Sequence, residues 1–298
     1  MPLLESVSGK TDVLDLQDVF RRFSFDCICK FSFGLDPKCL EASLPLSEFA
    51  VAEKELRRAI RAVNVLALEV IRQKRKLGIS NPQKDDLLSR FMNCTNGVSV
   101  DEGFLQDIVV NFLLAGRDTV ASGLTGFFRL LARHPEAEAR ILHEADEVIG
   151  PGRGPDCYGR MRDLHYLHAA VHESMRLYPP VQFDSKFCLD DDFLPDGSFV
   201  KKGSRVTYHP YAMGRSEEVN PFKYPVFQAG LRVCLGKEMA IEEMKCVAVS
   251  LLREYHVELV GFQGPARFSP GLTATYRDGL RVLIRRRNVD DGLSRKTK

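Results

Sequence analysis

Phe227-Gln228-Ala229-Gly230-Leu231-Arg232-Val233-Cys234-Leu235-Gly236 sets one cysteine between glycines and an arginine, at the mouth of an amphipathic helical pattern that runs on from Gly236 to Leu252. A helix N-terminus carries partial positive charge and unpaired N–H groups, which favour a thiolate and can donate to its sulfur. Gly230 and Gly236 place no side chain on either side of Cys234, so a large flat group can approach the backbone. Arg232 adds a cation suited to a carboxylate. Together these residues suit a haem iron held by thiolate sulfur, with Arg232 on a propionate; such a ligand pushes electron density toward the iron and favours O–O cleavage. The plain alternative is a buried, inert cysteine at a helix start.

Upstream, residues 101–132 form the longest helical pattern of the chain and read as one long buried helix. Inside it lies Ala115-Gly116-Arg117-Asp118-Thr119. Gly116 in mid-helix costs about 1 kcal/mol relative to Ala, and the Thr119 hydroxyl can compete for a backbone carbonyl and bend the helix. The pattern reads as a distortion; its bland alternative is a kink with a solvated Arg-Asp pair. Farther on, His172-Glu173-Ser174-Met175-Arg176-Leu177-Tyr178-Pro179-Pro180 places Glu173 and Arg176 on one helix face, where they can pair, before a proline stop. A Glu–Arg pair at this spacing is on its own most often a solvated face.

The spacing Phe-x-x-Gly-x-Arg-x-Cys-x-Gly, preceded in order by the other two patterns, resembles the cytochrome P450 superfamily of haem-thiolate monooxygenases. The resemblance implies a fold that is mostly α with small β-sheets, the C-terminal part of the cytochrome P450 fold. Residues 1–298 would form a single partial domain with an oxygen-groove helix at 101–133, a Glu-x-x-Arg helix at 164–178 and a cysteine haem loop at 225–236. The implied cofactor is heme b, with Cys234 as the axial metal ligand and Phe227, Gly230, Arg232 and Gly236 around it. Asp118 and Thr119 would deliver protons for O–O cleavage. Glu173 and Arg176 would brace the haem-binding core. Val120 stands where many relatives have a second Thr or Ser.

Two other patterns are decoys. His165, His168 and His172 recur at i, i+3 and i+7, as metal ligands can, but no Cys or carboxylate constellation completes a zinc motif; they read as surface or packing histidines. Gly150-Pro151-Gly152-Arg153-Gly154-Pro155 lacks the spacing and the preceding strand of a phosphate loop and reads as a connection.

With 298 residues and 44% hydrophobic content the chain can bury a sizeable core, as one large domain or two small ones. A net charge of +2 makes no case for nucleic acid, although Arg285-Arg286-Arg287 and Ser294-Arg295-Lys296-Thr297-Lys298 make the end basic. Eight cysteines without a repeating spacing, and no secretory segment at the start, point to a reducing, cytosol-facing environment. Cys27-Ile28-Cys29 is too isolated for zinc. No apolar run is long enough to span a membrane. The eukaryotic family, by contrast, carries an N-terminal anchor to the endoplasmic reticulum.

The remaining pattern is helix-rich first and strand-bearing later. Val13 to Phe33 reads as a helix with an aromatic face, and Leu56, Ile60, Val63, Ala67 and Val70 trace a second, broken at Ser80-Asn81-Pro82. Asp85 to Met92, Pro135 to Ile149 and Leu164 to Leu177 read as further helices. Phe199 to Tyr208 reads as a strand, and Phe268 to Ile284 as a strand pair turned at Tyr276-Arg277-Asp278-Gly279.

Within the superfamily, Val206-Thr207-Tyr208-His209-Pro210-Tyr211-Ala212-Met213-Gly214-Arg215, Tyr224 to Gly230 and Gly236-Lys237-Glu238-Met239-Ala240 look like the plant branch that oxidises fatty-acid ω-carbons, to which jasmonoyl-amino-acid ω-hydroxylases belong. The resemblance implies a small hydrophobic substrate, an NADPH-cytochrome reductase as electron donor, and membrane association of full-length relatives at the cytosolic face of the endoplasmic reticulum. It matches Pro270-Gly271-Leu272-Thr273-Ala274-Thr275 to the segment that points toward substrate. The chain departs from the family in lacking the anchor, the N-terminal sheet and a Trp-x-x-x-Arg propionate contact; it contains no tryptophan. It passes abruptly between helices from Leu44 to Leu56, and reads Ser216-Glu217-Glu218-Val219 where relatives carry a Pro-Glu-Arg motif. Loss of that arginine would strip the Glu173–Arg176 brace of a partner, at about 3–5 kcal/mol if the pair is buried. The reading that follows is a monooxygenase; the alternative is a catalytically inactive remnant acting as an interaction module.

Overall fold

Asp15 shows how the first elements are held. Its carboxylate accepts from the Gln17 N–H at 2.9 Å, capping a helix over Leu16–Phe33 (α1), and from the Leu280 N–H at 2.8 Å. Leu14–Asp15 (β1) pairs antiparallel with the chain end, so α1 begins three residues later than its aromatic pattern. A short strand at the edge of a sheet has no periodicity of its own to announce it. The computed structural model describes residues 4–5, 12–40, 56–77, 86–93, 101–151, 158–216, 224–261 and 264–287. The Ser80-Asn81-Pro82 break, the passage from Leu44 to Leu56, the Gly152–Pro155 run, the Glu217-Glu218-Val219 stretch and the basic end at 294–298 lie outside them.

The chain divides into two compact units, one of Met1–Ala121, His256–Gly261 and Gly279–Lys298, the other of Ser122–Tyr255 and Phe262–Asp278. In the first, α1 is followed by helices over Leu56–Leu77 (α2), Leu87–Asn93 (α3) and the leading part of Glu102–Leu131 (α4). α1 ends at Gly34, whose φ of +64° closes a left-handed cap. Asp86 caps α3 through the Ser89 N–H at 3.0 Å and pairs with Lys74 of α2. Leu16, Phe20, Phe33, Ile71 and Leu88 are buried here. Gly116 of α4 has a packing reason to be glycine: a Cβ there would meet the Ile28 side chain of α1 at 2.5 Å. α4 stays α-helical from end to end, so the glycine serves close packing and breaks nothing.

The second unit begins with the rest of α4 and continues with Pro135–Val148 (α5) and His165–Leu177 (α6). Four short strands follow: Asp184–Phe187 (β2), Asp192–Phe193 (β3), Phe199–Val200 (β4) and Arg205–Tyr208 (β5). A one-turn helix over Pro210–Met213 (α7) precedes the cysteine loop and the helix Lys237–Glu254 (α8). Leu164, the residue before α6, has no capping side chain; Glu144 of α5 caps the helix instead, accepting from the Tyr166 and Leu167 N–H groups at 2.6 and 2.9 Å. α8 is tied down by two cations, one buried and one half-buried. Lys245 is 1% exposed, pairs with Glu242 at 2.9 Å and donates to the Met161 carbonyl at 2.5 Å. Arg253 reaches the Ala145 and Gly150 carbonyls at 2.5 and 3.1 Å.

The strand readings need two corrections. Phe199 to Tyr208 is two strands, because Gly203, at φ +79°, turns the chain between them; β4 pairs with β3 and β5 with β2. Tyr276-Arg277-Asp278-Gly279 is no hairpin turn. Thr275–Tyr276 (β8) pairs back with Phe268–Ser269 (β7), while Arg281–Arg286 (β9) lies between β1 and Tyr255–Leu259 (β6). Two strands adjacent in sequence thus go to different sheets. Mostly α with small antiparallel sheets is the architecture observed, and among the described residues no helix is long and apolar enough to cross a membrane.

Asp15→Ala removes the α1 cap and the acceptor for Leu280 together. It should lower the unfolding free energy by about 2 kcal/mol, seen as a lower urea midpoint at unchanged m-value.

Candidate functional site

The cysteine loop is a succession of tight turns in the second unit. A 3₁₀ turn over Pro225–Phe227 leads to Gln228 at φ +60° and ψ −169°, Ala229 extended, a second 3₁₀ turn over Gly230–Arg232, and Gly236 as the residue before α8. The Cys234 N–H donates to the Phe227 carbonyl at 2.8 Å and closes the loop. Gly230, at φ +66°, takes a conformation open to glycine. Gln228 takes one without that excuse, at a cost of about 1–3 kcal/mol.

Cys234 is exposed, which removes the alternative of a buried structural thiol. Elsewhere in the chain, burial pushes Cys29 and Cys39 up to about 12 and Cys246 up to about 11, so those thiols hold their protons. Beside Cys234 stand Leu231, Val233 and Leu235, at 105%, 50% and 87% exposure, and the exposed cation of Arg232. Beyond its chain neighbours, a Cβ on either Gly230 or Gly236 would meet no atom of the described residues within 4 Å. One soft sulfur donor, a bare aliphatic surface, a guanidinium and two glycine-lined openings are the complement of a flat apolar group with a metal at its centre and an anionic edge. An iron porphyrin fits these residues.

Behind the loop, α6 supports it. The Tyr224 hydroxyl donates to the His172 carbonyl at 2.9 Å, and the His172 Nδ1 lies 3.3 Å from the Tyr224 hydroxyl oxygen. With the phenol proton on the carbonyl, Nδ1 must carry the imidazole proton and donate. The His172 ring meets Phe227 edge-on at 6.2 Å and His168 at 4.5 Å, and Lys237 lies 5.9 Å above the Phe227 ring. His172 is therefore a packing residue of the cysteine loop. Its spacing with His165 and His168 is helical geometry, since one face of α6 must cover that loop.

Glu173 and Arg176 of the same helix do pair, bidentately, at 2.7 and 2.5 Å, and Arg176 also donates to the Gly214 carbonyl. The two side chains are 55% and 37% exposed, so the pair is not a buried charge. The penalty of about 3–5 kcal/mol for losing a third partner does not arise, and the expectation of destabilisation is corrected on that ground.

In the first unit, the Thr119 hydroxyl donates to the Ala115 carbonyl at 2.5 Å, the local competition its sequence implied. Asp118 Oδ1 is buried, accepts no hydrogen bond among the described residues, and lies 3.7 Å from Arg117 Nε. In the second unit Pro270–Thr275 forms the tip of the β7–β8 hairpin, with Leu272 89% exposed. The tip is pinned by the Ala274 N–H on the Pro180 carbonyl at 2.7 Å and by the Ser122 hydroxyl on the Ala274 carbonyl at 2.8 Å. Sequence reading missed Tyr224, His172 and Gln228 as parts of the loop's support. Only a three-dimensional contact marks them, because each is an ordinary residue at an unremarkable spacing.

The family model for cytochrome P450 matches residues 48–277. Cytochrome P450 94C1 of Arabidopsis thaliana is 48% identical over 347 positions, covering 97% of this chain and 69% of that protein. Cytochrome P450 94A2 of Vicia sativa is 35% identical, covering 97% and 67%. Both alignments are longer than this 298-residue chain, so each contains positions for which the chain has no residue. Among solved structures, the haem domain of cytochrome P450DA superposes with a TM-score of 0.84 at 21% identity, over 97% of this chain and 70% of that one. Nothing in these likenesses favours the alternative of an inactive remnant.

Burial, then His168 and Lys237, hold the His172 imidazole down at about 4 against an ordinary 6.5. Between those values the unfolded chain binds a proton that the folded chain refuses, so stability is lost as pH falls from about 6.5 to about 4. His172→Gln should flatten that part of the profile in urea titrations; profiles of equal slope would contradict the assignment.

Proposed function

The chain belongs to the cytochrome P450 family and is by family a haem-dependent oxidoreductase, and on that premise we propose that it hydroxylates the ω-carbon of a fatty acid or fatty-acid conjugate. The single observation that carries the cofactor assignment is the exposed Cys234 thiol amid bare aliphatic side chains on a loop with two open glycines. Cys234 is the iron ligand. Haem, when bound, supplies the activation of dioxygen for insertion into an unreactive C–H bond.

The chain's own residues do the rest. Leu231, Val233 and Leu235 would hold the apolar part of the cofactor and keep water from the sulfur. Arg232 pairs with a propionate. Phe227, anchored by His172, together with Gly230 and Gly236, sets how closely the cofactor approaches. The Thr119 hydroxyl donates to the Ala115 carbonyl at rest and frees its proton by rotating about χ1; Asp118, whose Oδ1 holds no hydrogen bond among the described residues, takes up a proton from water and replaces the one given. Glu173 and Arg176 act structurally, Glu173 by orienting Arg176 and Arg176 by holding the Gly214 carbonyl.

The substrate class rests on the resemblance of Val206–Arg215 and Tyr224–Ala240 to the fatty-acid branch, with Leu272 at the pinned hairpin tip as a side chain facing the substrate. Electrons come from an NADPH-cytochrome reductase, and the working location is the cytosolic face of the endoplasmic reticulum membrane. The oxygen-groove helix at 101–133, the Glu-x-x-Arg helix at 164–178 and the haem loop at 225–236 act as parts of one partial domain.

Reconstitution with haem and a reduced carbon-monoxide difference spectrum test the reading directly. A thiolate-type Soret band is expected for the parent and none for Cys234→Ser; uptake and spectrum unchanged in that variant would sink the ligand assignment. Thr119→Ala should retain haem and divert reductase electrons to peroxide, raising peroxide formed per NADPH by about tenfold. Equal peroxide yields from the two proteins would exclude the proton role.

A further inference from the structure

The cysteine loop passes through positive φ twice, and only one of the two positions is glycine. Gln228, at φ +60° and ψ −169°, occupies a region essentially closed to residues with a Cβ. Asn reaches positive φ nearer the left-handed helical region, and Gln has no such habit. Something outside the loop must therefore hold it. We propose that Gln228 and Asp184 form a clamp that keeps residue 228 in this conformation and so sets the presentation of Cys234; the functional meaning of the clamp rests on Cys234 being the iron ligand.

The geometry is contained within the second unit. Gln228 Nε2 donates to Asp184 Oδ2 at 2.5 Å. The same oxygen accepts from the Tyr208 hydroxyl at 3.1 Å, and Oδ1 accepts from the Ser185 N–H at 2.7 Å. Asp184 and Tyr208 face each other in the β2–β5 ladder, so the acceptor is fixed by a sheet and does not drift with the loop. On the loop side, the peptide unit joining Phe227 to Gln228 is used at both ends. Its N–H donates to the Pro225 carbonyl at 3.0 Å, and its C=O accepts the Cys234 N–H at 2.8 Å. The φ angle of Gln228 relates that peptide plane to the chain leading to Cys234. If residue 228 relaxed to negative φ, the two hydrogen bonds could not both survive, and the one to Cys234 closes the loop. Gln228 is thus a positioning residue, acting through Phe227 on the cysteine.

Three variants separate conformation from contact. Gln228→Ala keeps the Cβ and loses the amide; Asp184→Ala removes the acceptor; Gln228→Gly loses the amide but adopts the angle unaided. In the full-length apoprotein, amide hydrogen exchange at Cys234 should quicken roughly tenfold in Gln228→Ala and Asp184→Ala and stay within about threefold of the parent in Gln228→Gly. After haem loading, the first two should give a larger share of the non-thiolate form in the reduced carbon-monoxide spectrum, and Gln228→Gly a parent-like spectrum. Parent-like exchange in Gln228→Ala, or exchange in Gln228→Gly as fast as in Gln228→Ala, would overturn the clamp. The two Gln228 variants decide the matter by themselves if Asp184→Ala does not fold. If exchange follows the expected order while no protein, the parent included, shows a thiolate band, the clamp stands and the ligand assignment falls.

Discussion

The 2.8 Å hydrogen bond from the Cys234 N–H to the Phe227 carbonyl is the constraint on which the site depends. It closes a loop that must do two opposed things: leave a thiol and three aliphatic side chains uncovered, and still hold the sulfur in one place. A single backbone hydrogen bond contributes only about 1 kcal/mol net. That is comparable to the strain of one residue at positive φ, so the bond cannot hold the loop alone. The margin comes from behind, where His172 of α6 and Lys237 of α8 pack Phe227, Tyr224 packs on His172, and one polar contact becomes part of a cooperative set.

That support is only as firm as α6 and α8, and both are fixed by charges aimed at backbone. Glu144 accepts the orphan N–H groups at the start of α6; Lys245 and Arg253 donate to carbonyls of the segments that α8 crosses. Each ion thus meets a partner whose position is set by secondary structure. A buried ammonium such as Lys245 would be costly unpaired, and here a carboxylate and a carbonyl together compensate it. The exposed Glu173–Arg176 pair belongs to another category. Its Coulomb energy is screened, and its mechanical role lies in the third contact, where Arg176 holds the carbonyl of Gly214.

How much of this could be read from the amino-acid sequence depends on the range of the interaction. The long helices were legible because a helix repeats its own buried stripe: 101–132 became Glu102–Leu131, and Pro135 to Ile149 became Pro135–Val148. The cysteine loop was legible because its chemistry is local, one thiol, one guanidinium and two glycines within seven residues. The sheets were not. β1 is two residues long and finds β9 across almost the whole chain, and β8 and β9, neighbours in sequence, separate into different sheets. Alternation carries no information about partner choice. Gly116 was legible as an oddity and misread as to cause, since its reason is the Ile28 side chain of another helix. Gln228 was invisible, because a dihedral angle leaves no mark on a residue type that rarely adopts it.

The segment ending at Arg215 follows the same logic. The relatives' alignments contain positions for which this chain has no residue, and a brace arginine was expected to be missed at this point. The chain is held here by other contacts. Gly214 lies so close to the Arg176 backbone that no side chain fits between them, and its carbonyl takes the guanidinium. One residue later Arg215 stacks over Tyr211 at 3.7 Å and faces Tyr178 at 5.4 Å, a cation held on two aromatic faces. Tyr178 follows the last residue of α6, so both contacts refer the chain back to the helix that carries the brace. Gly214 and Arg215 are thereby held against the end of α6. With the Glu173–Arg176 pair half in solvent, a third partner would add little energy to the pair.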